Sequence, residues 1–395
     1  MDLDLDRVPF RVSALLGSLA LVAAVAAALL VPSDPRTGGT PVDRVIEKFN
    51  TLRVVVVTRE QAEAEVEGYY EGLFQHSSKA VSVNALVSGQ WATEWAAWES
   101  IRERDDVIDR RGDFLFFELK PDLDVPELPG RLVTNSHGMA DREYPVERRP
   151  GYVRAAFVGD SMARGLGSNP GANYESLLED YLDRVRPAGA EIGFESLNFG
   201  VQAYRITQFV EVVRDKAARF SPDVYVVVLT NLTVVRKWSD HIGQLVADGI
   251  DLRYDFLRDV VRRARLRPDD DAVTMEAKLE PYRMEILAWA LATIRESAAE
   301  RDAKILVLLV PTVRDPRVER EWFEGVPELL AQQDIPTLDL LDTFGGVDDL
   351  LSLRIGPGDS HPNDLGHRRL FEAILDGLRR SPELATLLAG GPVPE

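Results

Sequence analysis

The sequence predicts an α/β protein, a three-layer α/β/α sandwich around a parallel sheet of about five strands. Three observations carry that expectation. From residue 153 onward, short runs of Val, Leu and Ile alternate with longer amphipathic stretches. The runs are mostly apolar, with continuous Val/Leu-rich stretches at 224–229 and 305–310, as in strands covered on both faces. The motifs rich in Gly, Asn, Ser and His fall at the ends of those runs, where an open α/β sheet binds its ligands.

In chain order, residues 1–11 form a short polar tail, followed by twenty uncharged residues at 12–31, VSALLGSLALVAAVAAALLV. As a helix these would be roughly 30 Å long, enough to cross a bilayer core. Pro32 and Pro35 then stop the helix. The expectation is a single-pass membrane anchor, with the lipid bilayer as a partner and the rest of the chain extracytoplasmic. Arg7 and Arg11 precede the span and Arg36, Arg44 and Lys48 follow it, so charge alone does not fix the orientation.

Residues 32–120 read as a linker and a small, mainly helical accessory region. They include a helical patch at 59–74, and Trp91, Trp95 and Trp98 lie on one helix face as packed core. The main domain is expected over 121–385. Its strands are VRAAFVG (153–159), IGFESLN (192–198), VYVVVLT (224–230), ILVLLVP (305–311) and PTLDLL (336–341). Helices are expected near 173–186, 205–220, 276–302, 316–333 and 364–380. Residues 236–275, rich in Arg and Asp, form an insertion that reads as a cap over the site. Residues 386–395 are a C-terminal tail. The expected sheet is flavodoxin-like.

Composition narrows the function. With 46 Lys+Arg against 65 Asp+Glu, the net charge is −19. That disfavours nucleic acid as a partner, since phosphate-backbone binding needs a basic stripe. Cysteine is absent, which removes thiolate metal sites and cysteine nucleophiles. No His–carboxylate cluster suggests a metal, and no phosphate-cradling GxxxxGK[ST] or GxGxxG occurs. No cofactor is expected.

Four strand-end motifs carry the chemistry. FVGDSMARGLG (157–167) delivers Ser161 into a tight turn entering a helix, the placement a nucleophilic serine needs. SLNFGVQAY (196–204) puts Gly200 at a strand–helix corner, where its N–H can donate to a developing oxyanion. LTNLT (229–233) brings the Asn231 amide to the same sheet edge. GPGDSHPNDLGHRRL (356–370) holds Asp359 and His361 in a Gly/Pro-rich loop, where His361 can act as a general base oriented by a neighbouring carboxylate. Asn363 or Asp364 can cap the helix that follows. Asp160 reads as a turn-stabilising residue and His367 as structural or surface.

Together, the ordered Gly-Asp-Ser, Gly, Asn and Asp/His blocks resemble the SGNH/GDSL hydrolase superfamily over residues 130–380. The lead-in TNSHGMADREYP (134–145) is similar to that of exported or membrane-anchored bacterial members. The resemblance implies Ser161 as nucleophile, His361 as base and Asp359 as third triad member. It also implies an oxyanion hole from the Ser161 and Gly200 N–H groups and the Asn231 amide, with no metal. Leu229 and Leu232 replace the usual Gly and Asp of the third block. Gly358 stands where many relatives have the Asp of Asp-x-x-His, and Ala203 where a second Gly is common. Asp364 or a backbone carbonyl are the alternatives to Asp359 as orienter of His361.

The implied activity is hydrolysis of an ester through an acyl–Ser161 intermediate, with an O-acetylated glycan or lipid ester as candidate substrate. A polysaccharide O-acetyltransferase of the same fold and a catalytically inert, membrane-tethered binding protein are the alternatives.

Overall fold

The computed structural model describes residues 104–393, apart from 127, 129, 186–192, 236 and 357. The apolar stretch 12–31, the patch at 59–74 and Trp91, Trp95 and Trp98 lie outside the described residues. Among the described residues, no helix is long and apolar enough to cross a membrane.

Four short strands come first, in two antiparallel hairpins: β1 (Ile108–Arg110) with β2 (Phe117–Leu119), and β3 (Asp124–Val125) with β4 (Leu132–Val133). The central sheet follows: β5 (Tyr152–Val158), β6 (Gly193–Asn198), β7 (Val224–Leu229), β8 (Lys304–Leu309) and β9 (Thr337–Asp339). All four pairings in it are parallel, in the order β6-β5-β7-β8-β9. The sequence order is thus 2-1-3-4-5, the flavodoxin-like order, whose switch point lies between the first and third strands. Every residue of β6 and β7 is buried, which is why β7 reads as an unbroken apolar run, while β6 buries Glu195, Ser196 and Asn198.

Successive side chains of a strand point to opposite faces, and the buried residues divide accordingly. Ala156, Val158, Tyr225, Val227 and Val307 pack with Phe209, Val213, Leu291 and Ile294 on one face. Ala155, Phe157, Val226, Leu306 and Leu308 pack with Tyr174, Leu178, Leu370 and Ile374 on the other. Val107, Ile108, Phe117 and Leu119 belong to the first of these cores, so the packed domain reaches upstream of residue 121.

Helices cover both faces. α1 (Ser161–Arg164) is a single turn, and α2 (Tyr174–Val185) follows it. α3 (Ile206–Glu211) continues as a π-helical stretch and a 3₁₀ turn to Phe220. α4 (Asn231–Val234) is another single turn. The insertion folds as α5 (Asp240–Ala247), α6 (Asp255–Ala264) and α7 (Ala272–Leu279) around its own apolar cluster of Trp238, Ile242, Leu257 and Val260. The stretch expected as one helix over 276–302 is divided: a 3₁₀ turn containing Pro281 separates α7 from α8 (Arg283–Ala299), since proline lacks the N–H a continuous helix needs. The 316–333 stretch is likewise split into α9 (Pro316–Trp322) and α10 (Val326–Gln332), with Gly325 left-handed between them.

β10 (Arg354–Gly356) and β11 (Asp359–Pro362) form a small antiparallel ribbon. α11 (Asp364–Arg380) and α12 (Pro382–Ala389) close the described chain.

Candidate active site

Ser161 opens α1 directly beyond the C-terminal end of β5. Asp160 is the N-cap, its Oδ1 accepting the Met162 N–H at 2.9 Å. Its Oδ2 accepts the Thr230 hydroxyl at 2.5 Å, tying the nucleophile turn to the end of β7. Asp160 is fully buried, and burial lifts its pKa although both hydrogen bonds oppose the lift. It therefore acts on the turn, as expected from sequence, whereas nothing in the sequence marks Thr230 as its partner. A Cβ on Gly159 would fall 2.5 Å from the Ala163 Cβ, so close packing rather than an unusual φ demands glycine here.

Two hundred positions away, the β10–β11 ribbon presents His361. Ser161 Oγ and His361 Nε2 are 2.7 Å apart, both buried. Asp359 Oδ1 accepts from His361 Nδ1 at 2.6 Å and from the His361 backbone N–H at 2.9 Å. Two residues on one strand thus grip each other through ring and backbone, so the short Asp-x-His spacing suffices. Burial alone would raise the Asp359 pKa. The charge of His361, these two hydrogen bonds and the charge of Arg314 outweigh it and hold the carboxyl below its ordinary range.

Asp364, the alternative orienter, is engaged elsewhere: it accepts from the Asn169 N–H and Nδ2, each at 2.8 Å. Asn363 caps α11, accepting from Leu365 and Gly366. His367 is buried, bonded to the Leu166 carbonyl at 3.3 Å and stacked on Tyr174.

The oxyanion donors expected from sequence divide. The Ser161 N–H occupies the first position of a helix, where no intrahelical acceptor exists. Asn231 is 1% exposed, and its Nδ2 lies a long 3.4 Å from Thr312 Oγ1. Gly200 differs from expectation: its N–H donates to Asn198 Oδ1 at 2.9 Å, so an Asx turn already holds it. Glycine is needed there because a Cβ would sit 2.3 Å from the Arg164 backbone nitrogen. Further along, Ala203 adopts a left-handed φ of 69°, the conformation that a glycine would take without strain.

A buried acidic cluster braces this loop. Asn198 Nδ2 donates to the Ala163 carbonyl at 2.8 Å and weakly to Glu175 Oε2 at 3.4 Å. The Asn198 N–H donates to Asp141 Oδ2 at 2.9 Å. Glu179 accepts from the Tyr144 hydroxyl at 2.5 Å and from the Ser196 N–H at 3.2 Å, and the Ser196 hydroxyl bonds Glu175. Burial first, then mutual repulsion, raises Asp141 well above its usual range and Glu175 to about 8. The lead-in segment supplies Asp141 and Tyr144, so its role here is to hold the second loop.

The insertion touches this loop through Arg205. That side chain donates to the Ala203 carbonyl at 3.0 Å and the Lys237 carbonyl at 2.7 Å.

No family model and no curated protein matches the chain. Among solved structures, it is similar to TesA at 16% identity and a TM-score of 0.36, over 57% of this chain and 98% of that one. A two-domain esterase (CEX) active on acetylated mannans matches at 13% identity and a TM-score of 0.38, over 62% of this chain and 51% of that one. Axe2, an acetylxylan esterase from Geobacillus stearothermophilus, matches at 16% identity and a TM-score of 0.38, over 57% and 93%.

Proposed function

We propose that this chain is a serine esterase of the SGNH/GDSL type that acts through an acyl–Ser161 intermediate. One observation carries the reading: Ser161 Oγ, the His361 ring and Asp359 Oδ1 form a continuous relay with links of 2.7 and 2.6 Å. Each length is within reach for proton transfer.

In this mechanism Ser161 Oγ attacks the ester carbonyl as His361 Nε2 takes its proton. Asp359 fixes the tautomer with Nδ1 protonated and stabilises the imidazolium that forms. The oxyanion is met by the Ser161 N–H and the Asn231 amide, a preformed donor of this kind contributing about 3 kcal/mol. Gly200 shapes the second loop instead of donating. The imidazolium returns its proton to the leaving alcohol, and water attacks the acyl-enzyme by the same route in reverse.

The chemistry calls for an ester and leaves the acyl and alcohol parts to be assayed, with O-acetylated glycans first and lipid esters second. A fluorophosphonate probe is expected to label Ser161 in the wild type and not in Ser161→Ala. Absence of labelling in folded protein, with esterase activity undiminished in the variant, overturns the reading. Acetate release measured against acetyl transfer to a glycan acceptor separates hydrolase from transferase. The same reading tethers the domain outside the cytoplasm through residues 12–31, which membrane fractionation with protease accessibility tests.

A further inference from the structure

Arg164 ends the one-turn helix that Ser161 begins, and it is only 5% exposed. Its Nε and Nη2 are buried with no hydrogen-bond acceptor among the described residues. Burial alone lowers its pKa, to about 10, so the guanidinium keeps its charge at neutral pH. Two other buried arginines, Arg154 and Arg205, are held by carboxylates and carbonyls. Arg154 bonds Glu195 at 2.7 Å and the Phe220 carbonyl at 2.8 Å, and Arg205 reaches Asp240 and the Lys237 carbonyl.

Further unpartnered groups lie around the same turn. The Tyr174 hydroxyl and His367 Nδ1 are buried without a partner, and the two rings stack with centroids 5.7 Å apart. His367 is bonded to the carbonyl of Leu166, two residues past Arg164, and lies within range of the Arg164 charge. Burial chiefly, with the charges of His361 and Arg164 adding to it, lowers the His367 pKa to about 4. His367 is therefore neutral and brings no second charge. With its Nε2–H on the Leu166 carbonyl, His367 offers Nδ1 as one acceptor against the Arg164 Nε–H and Nη2–H and the Tyr174 O–H, so the excess is of donors and of positive charge. An uncompensated buried cation is costly, and a guanidinium fork binds an anion through parallel charged hydrogen bonds.

We propose that Arg164 and Tyr174 form a buried site for a small anion, a halide or a carboxylate, one helical turn from the nucleophile. The anion is either a free ion or a carboxylate carried by the substrate.

Thermal unfolding of the full-length protein tests the site. Chloride and acetate are titrated from roughly 1 to 500 mM, with a bulky organic sulfonate holding ionic strength constant, since an anion bound only by the native state raises Tm with its concentration. The expected result is a rising Tm in the wild type. Arg164→Met is expected to show a flat response and to be no less stable in anion-poor buffer. Equal slopes in the two proteins overturn the proposal. Should Arg164→Met fail to fold, Tyr174→Phe carries the test: the anion midpoint is expected to move to higher concentration, and an unmoved midpoint overturns the site.

A kinetic arm separates the two sources and rests on the esterase reading, whereas the thermal arm does not. Paired esters with and without a carboxylate on the alcohol are compared. A preference for the acidic ester that falls tenfold or more in Arg164→Met assigns the site to substrate. No preference, with the thermal response intact, assigns it to a free ion.

Discussion

Two carboxylate sites support the loops around the nucleophile, and burial acts on them alike while their pKa values move in opposite directions. Asp359 faces an imidazole and a backbone N–H, and its carboxyl is held below the ordinary range. Glu175 and Asp141 face each other, Glu179 and neutral donors, and both are raised. Arg142 approaches this group only at its edge, 3.6 Å from Glu179. Desolvation penalises every buried charge, so the partner decides the sign. One carboxylate is thus kept ionised to orient a base, and the other group, in which Glu175 is raised to about 8, forms a hydrogen-bonded brace beneath the second loop.

The contrast breaks most severely at the ionised side. Ser161→Ala and His361→Ala are each expected to cost ~10⁶-fold in kcat, and the double variant no more, because members of a relay act as a unit. Steady-state kinetics on a simple ester check this. Additive losses would mean that the two residues do not act together. Asp359→Asn is expected to lose ~10⁴-fold while the fold is retained, because the amide favours the wrong imidazole tautomer. Circular dichroism beside the kinetics separates that loss from unfolding. Asn231→Ala tests the oxyanion side, with an expected fall of about 10²–10³-fold in kcat and little change in KM.

The ionised side is legible in the sequence and the protonated side is not. Ser161 sits in a short motif at the end of β5, Asp359 and His361 share another on β11, and the apolar runs of β7 and β8 mark out the sheet. The meeting of residues 161 and 361 is made by the β10–β11 ribbon, which is a sheet of its own outside the five central strands. The acidic cluster gathers Asp141 from a loop, Glu175 and Glu179 from α2 and Ser196 from β6. The sequence offers YESLLEDYLDRV only as an amphipathic helix, and packing against β6 is what buries Glu175 and Glu179 in its first turns. The Gly200 amide escapes a sequence reading for a related reason. Its capture by Asn198, two residues back, depends on a local turn that no spacing encodes. Pro281 within the 276–302 stretch is a visible breaker, outweighed in the sequence by the apolar periodicity on either side.

The smallest expected effect sharpens the comparison most, because it concerns stability rather than turnover. Glu175 has a pKa raised from 4.5 to about 8 in the folded protein. Between those two values the unfolded chain has lost the proton and the folded chain still holds it. The stabilising contribution is therefore complete below about pH 4.5 and declines as pH rises through about 8, at ~1.4 kcal/mol per pH unit. Asp359 has the opposite sign: its contribution is present above its unfolded value of 3.8 and is lost only as the pH falls through its lowered folded value. Denaturant melts between pH 5 and 9 are expected to show wild-type stability falling by up to a few kcal/mol. Glu175→Gln, which cannot ionise but keeps an acceptor for Ser196, is expected to flatten that alkaline slope while leaving the acid limb in place. An unchanged slope in the variant would show that Glu175 ionises in the folded protein near its ordinary pH, and the brace would then be a charged cluster.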